Sequence, residues 1–206
     1  MNLLQLHVTL DPSPLQAERL VALQAAFAQV CNALAPLVQR TKVWNRVALH
    51  HMAYKSLREQ FPAMGSQMVC NAIYSVSRHC RAVFQHGQSP FNLARLGDRP
   101  LPLLRFSDTC PVYFDRHTLS SKDGQLSLYT LDGRMRFKLD LRAEDEARFD
   151  TMKLREIVLS RTAQDNFELR FAFSDQDEAG SAAQADNDTR GELPEYVMLE
   201  EIHEGT

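Results

Sequence analysis

The chain has 206 residues, 44% hydrophobic and 24% charged, with a formal net charge of −3. That length suits one large domain or two small ones with a real core, and the composition is ordinary for a soluble globular protein. Met1-Asn-Leu-Leu-Gln-Leu-His-Val-Thr-Leu10 has no basic n-region and interleaves polar residues, which excludes a signal peptide. No apolar run reads as a membrane span, so a cytoplasmic location with no membrane partner is expected.

In chain order, Leu4, Leu6, Val8 and Leu10 alternate with Gln5, His7 and Thr9, the period of a half-buried strand. Ser13 and Gln16 have capping-box spacing, and Pro14 sits at the first helical position, where a missing N–H costs nothing. Leu20, Leu23, Phe27, Val30, Leu34 and Leu37 then form one helical stripe, with a kink expected at Pro36. A second helix is predicted over Arg46 to Gln60, with Leu49, Ala53 and Leu57 inward and His50, Tyr54 and Arg58 on another face. A third is predicted from Ser66, its cap, to about Gln85. Val69, Ile73, Val76, Cys80 and Val83 make its buried stripe, with Gln67, Asn71, Ser75 and Arg78 opposite.

Gly87, Pro90, Gly97, Pro100 and Pro102 mark a connector, after which strand signals dominate. Asp132-Gly133 between two alternating segments predicts a hairpin. In its second arm Met135, Phe137 and Leu139 face one way and Arg134, Arg136 and Lys138 the other. Leu154 to Arg161 and Phe167 to Phe173 supply two more strands. One strand, three helices, then five or six strands fits an α+β chain. The architecture expected is an oligonucleotide-binding-like β-barrel with a helical module inserted after the first strand. The barrel takes residues 1–12 and 101–173, the module 13–100. Residues 174–206 read as an acidic, disordered tail, with a short acidic segment conceivable over Glu195 to Ile202.

Charge is unevenly distributed. Residues 1–173 carry 22 Lys and Arg against 16 acids, while 174–206 carry one Arg against ten. Residues 40–106 hold ten basic side chains and only Glu59 and Asp98 as acids. A basic stripe in one segment is the footprint of a phosphate-binding surface, and the acidic tail reads either as an inert solubilising extension or as a competitor for that surface. The candidate nucleic-acid contacts are Lys42, Arg46, His50, Tyr54, Arg58, Gln67, Asn71, Arg78, Arg81, Arg134, Arg136 and Lys138. Gln and Asn can bond adenine bidentately, Arg and Lys hold phosphates, and aromatic rings stack on bases. Trp44 is expected to pack in the helical core. The cysteines at 31, 70, 80 and 110 lack zinc or disulfide spacing, and His79, Cys80 and His86 read as ordinary helix residues. Neither a metal nor a cofactor is expected.

The order Lys42-Val-Trp44-Asn-Arg46, Leu49-His50, Tyr54, Leu57-Arg58, Phe61-Pro62, Ser66-Gln67-Met68, Ala72-Ile73 and Val76 resembles the N-terminal half of TnpB proteins. These are the RNA-guided nucleases from which type V CRISPR effectors derive. The resemblance covers about residues 3–173 and implies a wedge barrel interrupted by a helical recognition module. It implies guide-type RNA and target-adjacent duplex DNA as partners, with Gln67 at a recognition-helix position near the DNA motif. The sequence departs from the family after Phe173. Ser174-Asp175-Gln176-Asp177 replaces the Gly-x-Asp-x-Gly segment whose Asp holds catalytic Mg²⁺, so no nuclease activity is expected of this chain. The implied role is a split-effector subunit working with a separate nuclease chain, or a nuclease-dead regulator. The alternatives are a protein-interaction module on an inherited fold and an inactive transposase fragment.

Overall fold

The computed structural model describes residues 4–122, 124–162, 164–174 and 193–200. The fold is mixed α+β, with antiparallel sheets and five helices among the described residues. It divides into two compact units. Of the described residues, 4–24 and 111–174 make up the first, and 25–110 and 193–200 the second. The boundary thus falls inside the first helix, where the sequence placed it at 12/13.

The first unit begins with β1 (Leu4–Leu10), in which Leu6 and Leu10 are buried while Gln5, His7 and Thr9 are exposed. The capping box forms as its residues dictate. The Ser13 N–H donates to Gln16 Oε1 at 3.0 Å, and the Gln16 N–H donates to Ser13 Oγ at 3.4 Å. Helix α1 (Pro14–Thr41) follows and runs through Pro36. By length and composition it could cross a membrane, contrary to the reading that no apolar run is long enough. However, Leu20, Leu23, Phe27, Val30 and Leu34 on its stripe are buried within the protein.

Strands β3 (Val112–Phe114), β7 (Lys153–Arg161) and β8 (Phe167–Ser174) join β1 in an antiparallel sheet of order β1-β8-β7-β3. Leu6 lies opposite Phe171 and Leu10 opposite Phe167, so the register buries apolar side chains as pairs. A second sheet has order β4-β5-β6, from β4 (Leu119–Lys122), β5 (Gln125–Thr130) and β6 (Gly133–Lys138). The predicted hairpin is present. Leu131 and Asp132 form its tip, and Gly133 takes φ 112, a backbone region that L side chains rarely adopt. Arg19 of α1 holds the tip, with Nε 2.8 Å from Asp132 Oδ1 and a second nitrogen 2.7 Å from Thr130 Oγ1. Hydrogen bonds from Thr130 and then Arg19 keep the Asp132 carboxyl below its ordinary pKa.

Two local features join the strands of this unit. The Asp115 carboxylate accepts the N–H groups of His117 and Thr118 and turns the chain between β3 and β4. A short helix α5 (Ala143–Thr151) precedes β7, with Glu144, Asp145 and Glu146 in its first turn, where the helix dipole favours acids. Its Phe149 ring lies edge-on to Phe171 and Phe173, with centroids 5.1 Å from each.

The second unit is built around helix α3 (Ser66–Phe84), packed beside α2 (Arg46–Gln60). Both spans match the sequence expectation, but the α3 cap is Gly65 rather than Ser66. Trp44 is buried, its ring 5.5 Å from Phe84, and its carbonyl accepts from Ser77 Oγ at 2.6 Å. A four-residue helix α4 (Leu93–Leu96) and strand β2 (Leu103–Phe106) follow. The Asn32 side-chain amide pairs with both backbone groups of Phe106, accepting its N–H at 2.8 Å and donating to its carbonyl at 2.9 Å. A side chain thus does there what a neighbouring strand would do.

The disordered-tail expectation fails over residues 193–200. Val197–Glu200 forms β9, antiparallel to β2, with Val197 buried and Glu200 3.1 Å from Arg105. Residues 175–192 and 201–206 lie outside the described residues. Tyr196 anchors the strand, its hydroxyl 3.1 Å from Nε2 of buried His79, whose Nδ1 lies 2.7 Å from the Ser75 carbonyl. Burial lowers the His79 pKa from 6.5 to about 4. The unfolded chain therefore takes up a proton below pH 6.5 that the folded chain refuses until about pH 4. Stability present above pH 6.5 is lost as the pH falls through that window, by about 3 kcal/mol for this one group. Urea unfolding of wild type and His79→Gln at pH 7 and pH 4.5 is expected to show a smaller pH-dependent loss in the variant. Parallel losses would contradict the assignment.

Candidate nucleic-acid interface

Helix α2 starts where it does because Asn45 caps it, its Oδ1 accepting the N–H groups of Val47 at 3.0 Å and Ala48 at 3.2 Å. Burial of Leu49, Ala53 and Leu57 fixes the helix rotation. Arg46, His50, Tyr54 and Arg58 then recur every fourth residue, a stripe about 18 Å long at 1.5 Å per residue. The rings of His50 and Tyr54 are stacked, with centroids 4.6 Å apart and planes 18° from parallel. The Arg46 guanidinium lies over the Tyr74 ring, 5.3 Å from its centroid. His51 stands edge-on to His50 at 6.0 Å. Lys42, at the exit of α1, and Lys55 are exposed. Glu59, at the far end of α2, is the only acid in α2 and α3.

This surface has two rings stacked face to face, a guanidinium over a third ring, and an exposed Lys55 four residues before Glu59. Such a set has the chemistry to stack unpaired bases and hold phosphates. Tyr74 and Lys55 were not singled out from sequence. Tyr74 comes to Arg46 only through the packing of α3 on α2. Lys55 had no signal beyond its charge.

Other expected contacts are placed differently. The Arg58 guanidinium donates to the Met64 carbonyl, closing the connection between α2 and α3. Gln67, Arg78 and Arg81 are half-buried, and each is engaged by a neighbour. Asn71 is only 5% exposed, with Nδ2 3.8 Å from Met68 Sδ, so it cannot read a base edge as expected. Ser75 is buried too. The error has one cause. The pattern treated α3 as amphipathic, but neighbours cover nearly its whole circumference. Part of the basic stripe is likewise structural. Arg95 donates to the Gln88 and Ser89 carbonyls, Arg99 to those of Leu96 and Arg95, and Arg105 pairs with Glu200.

In the first unit, Arg134, Arg136 and Lys138 are exposed on one face of β6 while Met135 and Phe137 are buried, as the alternation requires. Arg134 lies across the sheet, bonding Ser127 Oγ at 2.9 Å and the Ser127 carbonyl at 3.0 Å. The Arg136 and Lys138 side chains have no ion-pair partner among the described residues. No group of three or more His, Cys, Asp or Glu side chains converges as a metal site among the described residues. Burial raises the thiol pKa of Cys31 and Cys80, which makes both poor nucleophiles.

Compared with known proteins, the chain matches no family model and has no significant match among curated proteins. Stability separates structural residues from surface ones. Asn71→Ala is expected to cost about 1–3 kcal/mol, as removal of a buried polar group's contacts does. Lys42→Ala and Lys55→Ala should stay within about 0.5 kcal/mol of wild type in the same chemical denaturation. A neutral Asn71→Ala would return that residue to the list of candidate contacts.

Proposed function

We propose that this chain is a non-catalytic nucleic-acid-binding protein that holds the unpaired nucleotides of a structured RNA on the α2 surface. The observation that carries the reading is the acid-poor stripe in which His50 stacks on Tyr54 and Arg46 lies over Tyr74. Ring faces accept any base, and the lysines supply the salt-dependent attraction to phosphates.

The resemblance to TnpB proteins makes a guide-type RNA the first ligand to test and target-adjacent duplex DNA the second. In that reading the chain serves as a split-effector subunit, with a separate nuclease chain, or as a regulator without a nuclease of its own. The oligonucleotide-binding-like barrel with an inserted helical module belongs to the same proposal. Its support in the first unit is strand order. The sheet β1-β8-β7-β3 is followed, through the Asp115 turn, by β4-β5-β6, and the outer strands β1 and β6 line a common cleft. That is the succession of an antiparallel barrel open at one seam.

Filter binding with single-stranded RNA across a salt series tests the reading. The logarithm of the binding constant should fall linearly with the logarithm of salt concentration. Lys42→Ala and Lys55→Ala should each reduce the slope by about 0.7, one phosphate contact on a single strand. Tyr54→Ala should instead weaken binding by about 1–3 kcal/mol with little change in slope. A flat salt response, or variants indistinguishable from wild type, would contradict the proposal.

The acidic stretch gives a further expectation. Neutralising Asp175, Asp177, Glu178, Asp186, Asp188 and Glu192 to their amides should tighten RNA binding at low salt, because a tethered polyanion competes with nucleic acid. The substitutions leave β9 intact, as deletion of 174–206 would not. Unchanged affinity would show that the stretch does not compete.

A further inference from the structure

Strand β6 is the outer strand of its sheet, and β1 is the outer strand of the other. An open cleft of about 680 Å³ separates them, lined by residues 6–11 and Gln16 on one side and by Arg136 to Arg142 and Asp145 on the other; Arg136 and Lys138 lie at its β6 edge, and Asp11, Asp140 and Asp145 are its acids. The volume lies within the roughly 300–1,000 Å³ typical of ligand sites. The direction of the β6 backbone follows from its hydrogen bonds. The Leu139 N–H donates to the Gly124 carbonyl at 2.7 Å, so Leu139, Phe137 and Met135 turn their backbone groups toward β5. Those of Arg136 and Lys138 therefore face away from β5. The Gln16 side-chain amide confirms this direction by donating to the Arg136 carbonyl at 3.2 Å.

Side chains on this strand alternate with equal clarity. Phe137 and Leu139 are buried, while Arg136 and Lys138 are exposed. A strand added beside β6 would place every second side chain next to the two cations and the others next to the apolar row. Opposite charges directly across two strands attract, and like charges repel. Cations on an open edge ordinarily deter further pairing, so this edge is closed to neutral or basic strands and open to an acidic one. Elsewhere in the chain one cation and one acid pair across two strands, Glu200 of β9 with Arg105 of β2.

We infer that the β6 edge is a docking site for an extended partner peptide in which acidic and apolar residues alternate. The Arg136 N–H and both backbone groups of Lys138 would supply the main-chain hydrogen bonds, the Arg136 carbonyl being held by Gln16, and the two cations would select the acidic face. The site goes beyond the nucleic-acid reading and does not depend on it, since it uses backbone groups of the first unit.

Fluorescence anisotropy with the full-length chain tests it. The probes are a labelled Glu-Val-Glu-Leu-Glu-Val-Glu peptide, its counterpart with Lys for Glu, and two versions N-methylated on alternate sets of amides. The acidic peptide should bind and the Lys peptide should not. Methylating one alternate set should weaken binding about tenfold or more, and methylating the other should leave it within about twofold, because an added strand turns only half its amides toward the edge. The double variant R136E/K138E should weaken binding about tenfold. Absence of binding, or equal effects of the two methylated sets, overturns the proposal. So does displacement by a short thymidine oligonucleotide combined with indifference to methylation, which would make the row a phosphate surface. The peptide arms use the unaltered chain, so a misfolded variant cannot obscure them. RNA affinity measured in the same samples separates failure here from failure of the α2 reading.

Discussion

Burial of α3 on nearly every side is the constraint from which the second unit's surface follows. Met68, Val69, Ala72, Ile73, Val76, Cys80 and Phe84 are all essentially inaccessible. The helix keeps only a half-buried stripe of Gln67, Cys70, Tyr74, Arg78 and Arg81. Its polar residues become internal fastenings, as Ser77 does toward Trp44 and His79 toward Tyr196. Burying a polar group without a partner costs about 1–3 kcal/mol, which is why these bonds are made. Helix α2 is more open, burying only Leu49, Ala53 and Leu57.

The same logic divides the cations. Arginines near chain turns bond the carbonyls of those turns: Arg58 to Met64, Arg95 to Gln88 and Ser89, and Arg99 to Leu96. Five donors on a planar fork make arginine effective at this, and the positive charge is then part of the scaffold. Lysines are not so used, and Lys42, Lys55 and Lys138 remain exposed. Net charge over a segment overstates the surface available to a polyanion, and the correction is largest where arginines sit beside loops.

Much of the fold was legible because the local signals were independent of tertiary context. Ser13 and Gln16 met as a capping box, α2 occupied its expected span, and the β6 row alternated as written. What was not legible depended on partners distant in sequence. β2 is short and is completed by the amide of Asn32 and by β9, neither of which its own four residues announce. β9 lies in a segment whose acidity reads as disorder, yet Tyr196 and Val197 hold it to the second unit. The candidate site shows the same division. The i+4 stripe from Arg46 to Arg58 follows from helical period alone. The Arg46–Tyr74 contact and the burial of Asn71 required the helix packing.

If bases stack on the rings of α2, ultraviolet cross-linking of single-stranded RNA to the full-length chain, with the modified residues identified by mass spectrometry, should give adducts on His50 or Tyr54. Adducts confined to residues 111–174, or none at an RNA concentration that saturates binding, would contradict that stacking.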